Sequence, residues 1–304
     1  MPRAPSAGGR RRIALLALLA IGLGAAGVGA ALDGDGPPEV GRNPFAGVGA
    51  WVDVYDWSEA HGRERPLVDA ETVDAMADNG AETLYVQTAR ADTPGDVLEP
   101  DRLASLVDRA RSRGMAVVAW YLPTLEEPDR DLRRLRAMAE VDGVDAVAVD
   151  IEARQVADVT ERNRRLVRLS TELRAAVPEA TLGAIALAPV LLEEVNPAFW
   201  PSFPWRELAR SFDVWLPMSY QSERRAVSGY RDAHRYAIEN VDRLRARLGR
   251  AGAPVHLIGG IADDMDTGDL DGLLQAATEK NAIGVSLYDW RTTPPALLPL
   301  RGTG

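Results

Sequence analysis

The hydrophobic positions of this chain fall into two rhythms. Short runs rich in Val, Ile, Leu and aromatic residues recur as GAWVDVYDW (49–57), AETLYVQT (81–88), GMAVVAWYL (114–122), DAVAVDIE (145–152), LGAIALAP (182–189), FDVWLPMSY (212–220), PVHLIGG (254–260) and AIGVSLYDW (282–290). Each has the length and composition of a buried strand. Between them the apolar residues repeat at helical spacing, for example over 69–78, 101–113, 129–140, 155–176, 230–248 and 269–280. Several of these stretches close on a glycine, such as Gly80, Gly114 or Gly249. Strict alternation of strand and helix predicts parallel strands joined by crossover helices. Eight such units over 45–304 predict an α/β fold of the closed (β/α)8 TIM-barrel type. An open doubly wound sheet is the rival, but no Gly-rich phosphate loop follows the first strand, where that fold carries it.

One run obeys neither rhythm. Arg10 to Arg12 precede an unbroken apolar stretch from Ile13 to Leu32 that has no polar face and ends in the small residues Gly29, Ala30 and Ala31. This pattern predicts that 1–32 is a signal peptide or an uncleaved transmembrane anchor, with the arginines on the cytoplasmic side. Residues 33–44, DGDGPPEVGRNP, read as a linker. The barrel is therefore expected outside the cytoplasmic membrane, secreted or held there by its leader, with no other membrane contact.

Alternation along each strand assigns the faces. On the fourth strand Val147, Val149 and Ile151 belong under the helices, which turns Ala146, Ala148, Asp150 and Glu152 inward. The same parity sends Val52 and Val54 outward on the first strand and Asp53 and Tyr55 inward. It places Tyr85 and Gln87 inward on the second, Met218 and Tyr220 on the sixth, and Ser286, Tyr288 and Trp290 on the eighth. The third strand offers either Trp120 or Tyr121. His256 reads as a residue packed inside the barrel. Asp150 and Glu152 then stand at a carboxyl strand end, the rim where barrels of this kind carry chemistry.

Composition narrows the chemistry. A net charge of −10 and a pI of about 5.0 argue against nucleic acid or an anionic lipid surface as partner. The absence of cysteine removes disulfides, thiol nucleophiles and cysteine metal sites. Three scattered histidines, His61, His234 and His256, show no ligand spacing, which counts against a metal-dependent hydrolase. The run DDMDTGDLDG (263–272) has alternating acids but reads better as helix capping than as a calcium loop. No metal or cofactor is expected. A mouth that is acidic and aromatic suits a polysaccharide or oligosaccharide, because ring faces stack on pyranoses and carboxyl groups can supply the acid and base of glycoside cleavage. Glu126 and Glu127, after the third strand, lie on the same side. Crowding of the two carboxyl groups predicts a protonated Glu152 beside an ionised Asp150. The sequence leaves the oligomeric state open.

Two resemblances sharpen this reading. DAVAVDIE (145–152) resembles the D-x-x-D-x-D-x-E signature of family 18 glycoside hydrolases, the chitinase-like barrels, through Asp145, Asp150 and Glu152. MSY (218–220) is similar to that family's M-x-Y, and Trp290 stands where it keeps a tryptophan. The resemblance implies that Glu152 protonates the glycosidic oxygen while Asp150 orients the substrate's 2-acetamido group. It gives Tyr220 a hydrogen bond to that group and makes Trp290 the floor of the subsite. Ala148 replaces the signature's second aspartate, and Gln221 stands where aspartate often follows the tyrosine. These departures keep a second function open, a barrel that binds carbohydrate without cleaving it. WVDVYDW (51–57) with VDIE (149–152) also resembles family 25 lysozymes, which implies that Asp53 joins Asp150 and Glu152.

Overall fold

The computed structural model describes residues 42–62 and 67–299. The expected leader, 1–32, and nearly all of the linker lie outside the described residues. Among those described, no helix is long and apolar enough to cross a membrane.

The chain runs β1 (Gly47–Val52), α1 (Val54–Trp57), α2 (Ala70–Asp78), β2 (Thr83–Gln87), α3 (Pro100–Ser112), β3 (Ala116–Tyr121), α4 (Pro128–Ala139), β4 (Ala146–Ile151), α5 (Val159–Ala176), β5 (Thr181–Leu187), α6 (Trp205–Leu208), β6 (Val214–Ser219), α7 (Ala233–Leu248), β7 (His256–Gly260), α8 (Thr267–Glu279) and β8 (Gly284–Tyr288). All neighbouring strands are parallel, and β8 returns to β1 with Gly47 opposite Gly284. The sheet is therefore a closed (β/α)8 barrel, as the alternation predicts.

Aspartates start five of the eight helices among the described residues, α1 included. Asp69, Asp158, Asp232 and Asp266 cap α2, α5, α7 and α8, each side chain accepting the N–H three residues on. Such a cap contributes about 1 kcal/mol and satisfies a donor that the helix leaves open. The acidic run at 263–272 is used in this way, with Asp266 and Asp269 forming a reciprocal capping box. Gly249 ends α7 in the left-handed region at φ 67°, where a side chain is disfavoured.

The barrel's lower interior is a closed polar knot within apolar packing. The Trp51 ring stacks on Tyr85 with centroids 4.2 Å apart, and its Nε1–H donates to Ser286 Oγ at 2.8 Å. His256 Nδ1 lies 2.9 Å from the Phe45 carbonyl, which can only accept, so the ring proton sits there. Nε2 then accepts the Ser286 hydroxyl at 2.8 Å. Burial pushes the His256 pKa down to about 4, leaving a neutral ring. Gly284 passes so close that a Cβ there would collide with His256 Nδ1 and the carbonyls of Phe45 and Gly47. His256 is thus the packed interior residue that its position suggested.

Two strands stop sooner than their hydrophobic runs do. β1 ends at Val52, because the Asp53 side chain accepts the Tyr55 N–H at 2.7 Å while Asp56 accepts the Asp53 N–H at 3.2 Å. This box winds 54–57 into a helical turn. β8 ends at Tyr288, where Asp289 accepts the Thr292 N–H at 2.9 Å and turns the chain. The alternation used to place Tyr55 and Trp290 therefore does not extend to them.

Candidate active site

β4 carries the chemistry to the mouth. Its inward positions end in Asp150, and Glu152 follows one residue beyond the strand. Two cavities meet at these acids. A wide cleft of about 620 Å³ and a deeper chamber of about 110 Å³ share Trp120, Asp150, Glu152 and Tyr288 as walls. The chamber adds Trp51, Ile185, Met218, Tyr220 and Ile258. The cleft adds Asp53, Tyr55, Gln87, Arg90, Asp92, Thr124, Glu126 and Gln155, among others.

Most of the residues singled out from the sequence line one or both cavities: Asp53, Tyr55, Gln87, Trp120, Asp150, Glu152, Met218, Tyr220 and Tyr288. Tyr55 does so from α1 rather than from a strand. Trp120 is the inward residue of β3, whereas Tyr121 faces the helices and donates to Asp131 at 2.7 Å. Two expected residues stand elsewhere. Tyr85 is fully buried below the floor, stacked on Trp51, with its hydroxyl 3.3 Å from His256. Trp290 packs against the apolar cluster that includes Val52, Val54 and Trp57, its N–H donating to the Trp51 carbonyl at 3.1 Å, after the turn that follows Tyr288. Neither borders the cavities. Of the glutamates after β3, Glu126 lines the cleft, while Glu127 pairs with Arg130 at 3.3 Å. Asp145, the first aspartate of the signature, sits at the opposite end of β4. There it accepts the Val117 N–H at 2.8 Å and pairs with Arg111 at 2.8 Å.

Burial sets the protonation of the central pair. It raises Asp150 well above the ordinary carboxylate range, and the charge of Glu152 raises it further. Burial also raises Glu152. The expected order, with Glu152 holding the proton beside an ionised Asp150, is corrected by depth. Asp150 is only 7% exposed and Glu152 is half-buried, so a proton shared by the pair favours Asp150. Asp150 Oδ1 has no hydrogen-bond partner among the described residues. Tyr220 and Tyr288 are both held above their usual range, chiefly by burial and then by neighbouring carboxylates, and so remain donors.

A second acidic group flanks the cleft. Asp53, Asp56 and Asp289 bring carboxylate oxygens within 4.8 Å of one another. Burial and then the charges of Asp53 and Asp289 push Asp56 up to about 7. The spacing could accommodate a cation. Each of the three is already used as a backbone cap, however, which accounts for their convergence without one. Arg291 approaches Asp56 at 3.7 Å. Across the cleft Arg90 is held by both oxygens of Asp92, at 2.7 and 2.6 Å, and its Nη1 donates to the Tyr55 hydroxyl.

Sequence reasoning missed Arg90, Asp92, Thr124 and Gln155. All follow the carboxyl ends of strands, and that position is the signal that singled out Glu126.

No family model matches the sequence, and no curated protein matches it. Solved structures do match the fold. The spore cortex-lytic enzyme SleL of Bacillus cereus aligns at 11% identity and TM-score 0.58, over 83% of this chain and 72% of that one. An endo-β-1,4-mannanase from Thermotoga petrophila aligns at 10% identity and TM-score 0.57, over 81% and 68%. A chitinase from Chromobacterium violaceum aligns at 14% identity and TM-score 0.55, over 83% and 96%. At these identities the likeness establishes the TIM-barrel fold alone. It does not extend to a substrate.

Proposed function

We propose that this chain is a glycoside hydrolase that cleaves an N-acetylhexosamine-containing polysaccharide, chitin-like or peptidoglycan-like. The observation that carries the reading is the Asp150–Glu152 pair, with both carboxyl groups raised by burial at the junction of two cavities walled by Trp120 and Tyr288. Glu152, nearer the wide cleft and itself raised by burial, is the acid that protonates the leaving oxygen, acting in the state where both carboxyl groups hold a proton. Asp150, the deeper group, orients the substrate's acetamido group, whose carbonyl oxygen attacks the anomeric carbon. Tyr220 donates a hydrogen bond to that acetamido group in the chamber, and Tyr288, whose hydroxyl is given to Asp53, forms a wall beside it. Water then opens the intermediate, with Glu152 returning as base. The Arg10–Arg12 cluster and the apolar run that follows support action outside the cytoplasmic membrane.

The test is release of reducing ends from chitin oligomers and peptidoglycan by the purified chain and by Glu152→Gln. Loss of about 10²-fold or more in the variant is expected, the scale of general acid catalysis. Equal rates in both proteins would refute the assignment.

A silent carbohydrate-binding barrel is the second reading, favoured by Ala148 and Gln221, where the signature of the resembled family has or often has aspartate. Saturable glycan binding with no turnover between pH 4 and 8 would establish it, and Glu152-dependent cleavage would remove it.

A further inference from the structure

Two arginines are more than nine-tenths buried among the described residues, Arg134 and Arg162, and their surroundings differ. Arg134 gives its Nη groups to the Tyr121 hydroxyl at 3.3 Å and to the carbonyls of Ala91 and Thr93 at 3.2 and 2.6 Å. Arg162 lies near the amino end of α5, where the helix dipole disfavours a cation. Its side chain makes no hydrogen bond and no ion pair among the described residues. Nε is closed off without a partner, while the Nη groups are not closed off. A guanidinium carries five N–H donors and a permanent charge, so burying it unpaired is costly.

The neighbouring acids do not offset that charge. Asp158 caps α5, and Glu161 is held by Arg164 and Arg165 at 2.7 and 2.6 Å. The group that does bear on Arg162 is another cation. Burial lowers the Arg162 pKa, and the Arg154 guanidinium lowers it further. Arg154 is exposed and likewise has no hydrogen bond or ion pair among the described residues.

The two cations lie over consecutive rings of the loop after β5. Arg154 Cζ is 4.2 Å from the centroid of Phe199, and Arg162 Cζ is 4.2 Å from that of Trp200. The loop is fixed in place, because the Trp200 indole donates to Asn163 Oδ1 at 2.7 Å and Asn163 Nδ2 donates to the Ser202 carbonyl at 2.8 Å. Ring faces attract the cations but offer no acceptor to their N–H edges. None of these residues borders the wide cleft or the chamber.

We infer that Arg154 and Arg162 form a binding site for an oxyanion, a carboxylate or phosphate group, outside the cleft and between the loops that follow β4 and β5. Arg154 meets the anion at the surface, and Arg162 donates from behind it through Nη. The bound charge offsets the repulsion between the two guanidinium groups and gives the buried one an acceptor. The site does not depend on the hydrolase reading of the cleft.

The experiment is calorimetric titration of the full chain with inorganic phosphate and with sodium acetate, at an ionic strength held constant with sodium chloride. Arg154→Gln and Arg162→Met are titrated beside the parent. The parent should bind at least one of the two anions saturably. Arg154→Gln changes an exposed side chain, so it should fold, and it should weaken binding about tenfold or more, the scale of one charge-assisted contact. Arg162→Met keeps an apolar contact with Trp200 and should abolish binding. If that variant fails to fold, Arg154→Gln decides alone. Binding of phosphate only assigns a phosphoryl ligand, binding of acetate only a carboxylate, and binding of both a site open to either; each upholds the inference. No saturable binding of either anion, or binding as strong in Arg154→Gln as in the parent, overturns it.

Discussion

The Tyr288 hydroxyl donates to Asp53 Oδ2 at 3.4 Å, tying the end of β8 to the end of β1 at the seam where the barrel closes. The bond favours the ionised form of Asp53, opposing the burial that raises its pKa. Tyr288→Phe should therefore raise the Asp53 pKa further. The bond is long and half-exposed, so stability should fall by less than about 1 kcal/mol. A carboxyl-carbon NMR titration of Asp53 in both proteins checks the direction, and an unchanged or lower midpoint contradicts it.

Asp56 makes a stability prediction with a definite sign. Its pKa rises from 3.8 to about 7 on folding, so the folded state keeps a proton that the unfolded chain gives up. Its contribution is fully present below pH 4 and is lost as pH rises through 7. Asp56→Asn preserves an acceptor for the Asp53 N–H and removes the penalty. The variant should be more stable than the parent at pH 8, by an amount on the order of 2–4 kcal/mol, and little different at pH 4. His256 works in the opposite sense. Its depressed pKa stabilises the fold above pH 6.5, and that contribution is lost as pH falls toward 4. The parent curve is therefore flatter than either group implies, and the difference between parent and variant isolates Asp56. Urea denaturation at the two pH values measures it, and a gain at pH 4 as large as at pH 8 would exclude this origin.

The alternation of apolar runs made the barrel legible, because parallel strands buried on both faces leave a strong hydrophobic signal. Strand parity reached Asp150, Glu152 and Tyr288 for the same reason, and left the third strand open between Trp120 and Tyr121. It failed for Trp290, since the capping interactions of Asp289 end the period-two pattern one residue earlier. It failed for Tyr85 in depth rather than direction: that side chain points inward but one layer too low, and the pattern carries no information on height. The Arg90–Asp92 clamp left no signal because the partners are loop residues whose pairing depends on the path after β2. The order of protonation between Asp150 and Glu152 depends on depth in the same way.

Two inward tryptophans differ in what they would lose. Trp51 Nε1 is bonded to Ser286, which in turn serves His256, whereas Trp120 Nε1 is buried without a partner. Trp51→Phe leaves the Ser286 lone pair unsatisfied inside the barrel and should cost about 1–3 kcal/mol beyond the packing change. Trp120→Phe removes an orphaned donor and should be close to neutral in stability, within about 1 kcal/mol. Its loss should appear instead in ligand affinity, since Trp120 borders both cavities. Thermal unfolding with glycan titration on both variants separates the effects. A larger stability loss in the Trp120 variant than in the Trp51 variant would contradict this ordering.

The central pair predicts how one carboxyl group answers removal of the other. Two causes raise Asp150, burial first and the charge of Glu152 second. Glu152→Gln abolishes the second and leaves the first. Asp150 should then titrate lower than in the parent, yet still above the ordinary value of about 3.9 for aspartate. Carbonyl-stretch infrared difference spectra across pH report this directly, with Asp150→Asn identifying the band. On the proposed hydrolase reading Glu152 must hold a proton, and burial raises its pKa, so kcat/KM should decline only on the alkaline side of the usual carboxylate range. An Asp150 midpoint that rises when Glu152 is neutralised would mean that the two groups are coupled through a hydrogen bond rather than through charge. The proton would then belong between them, not on the deeper acid.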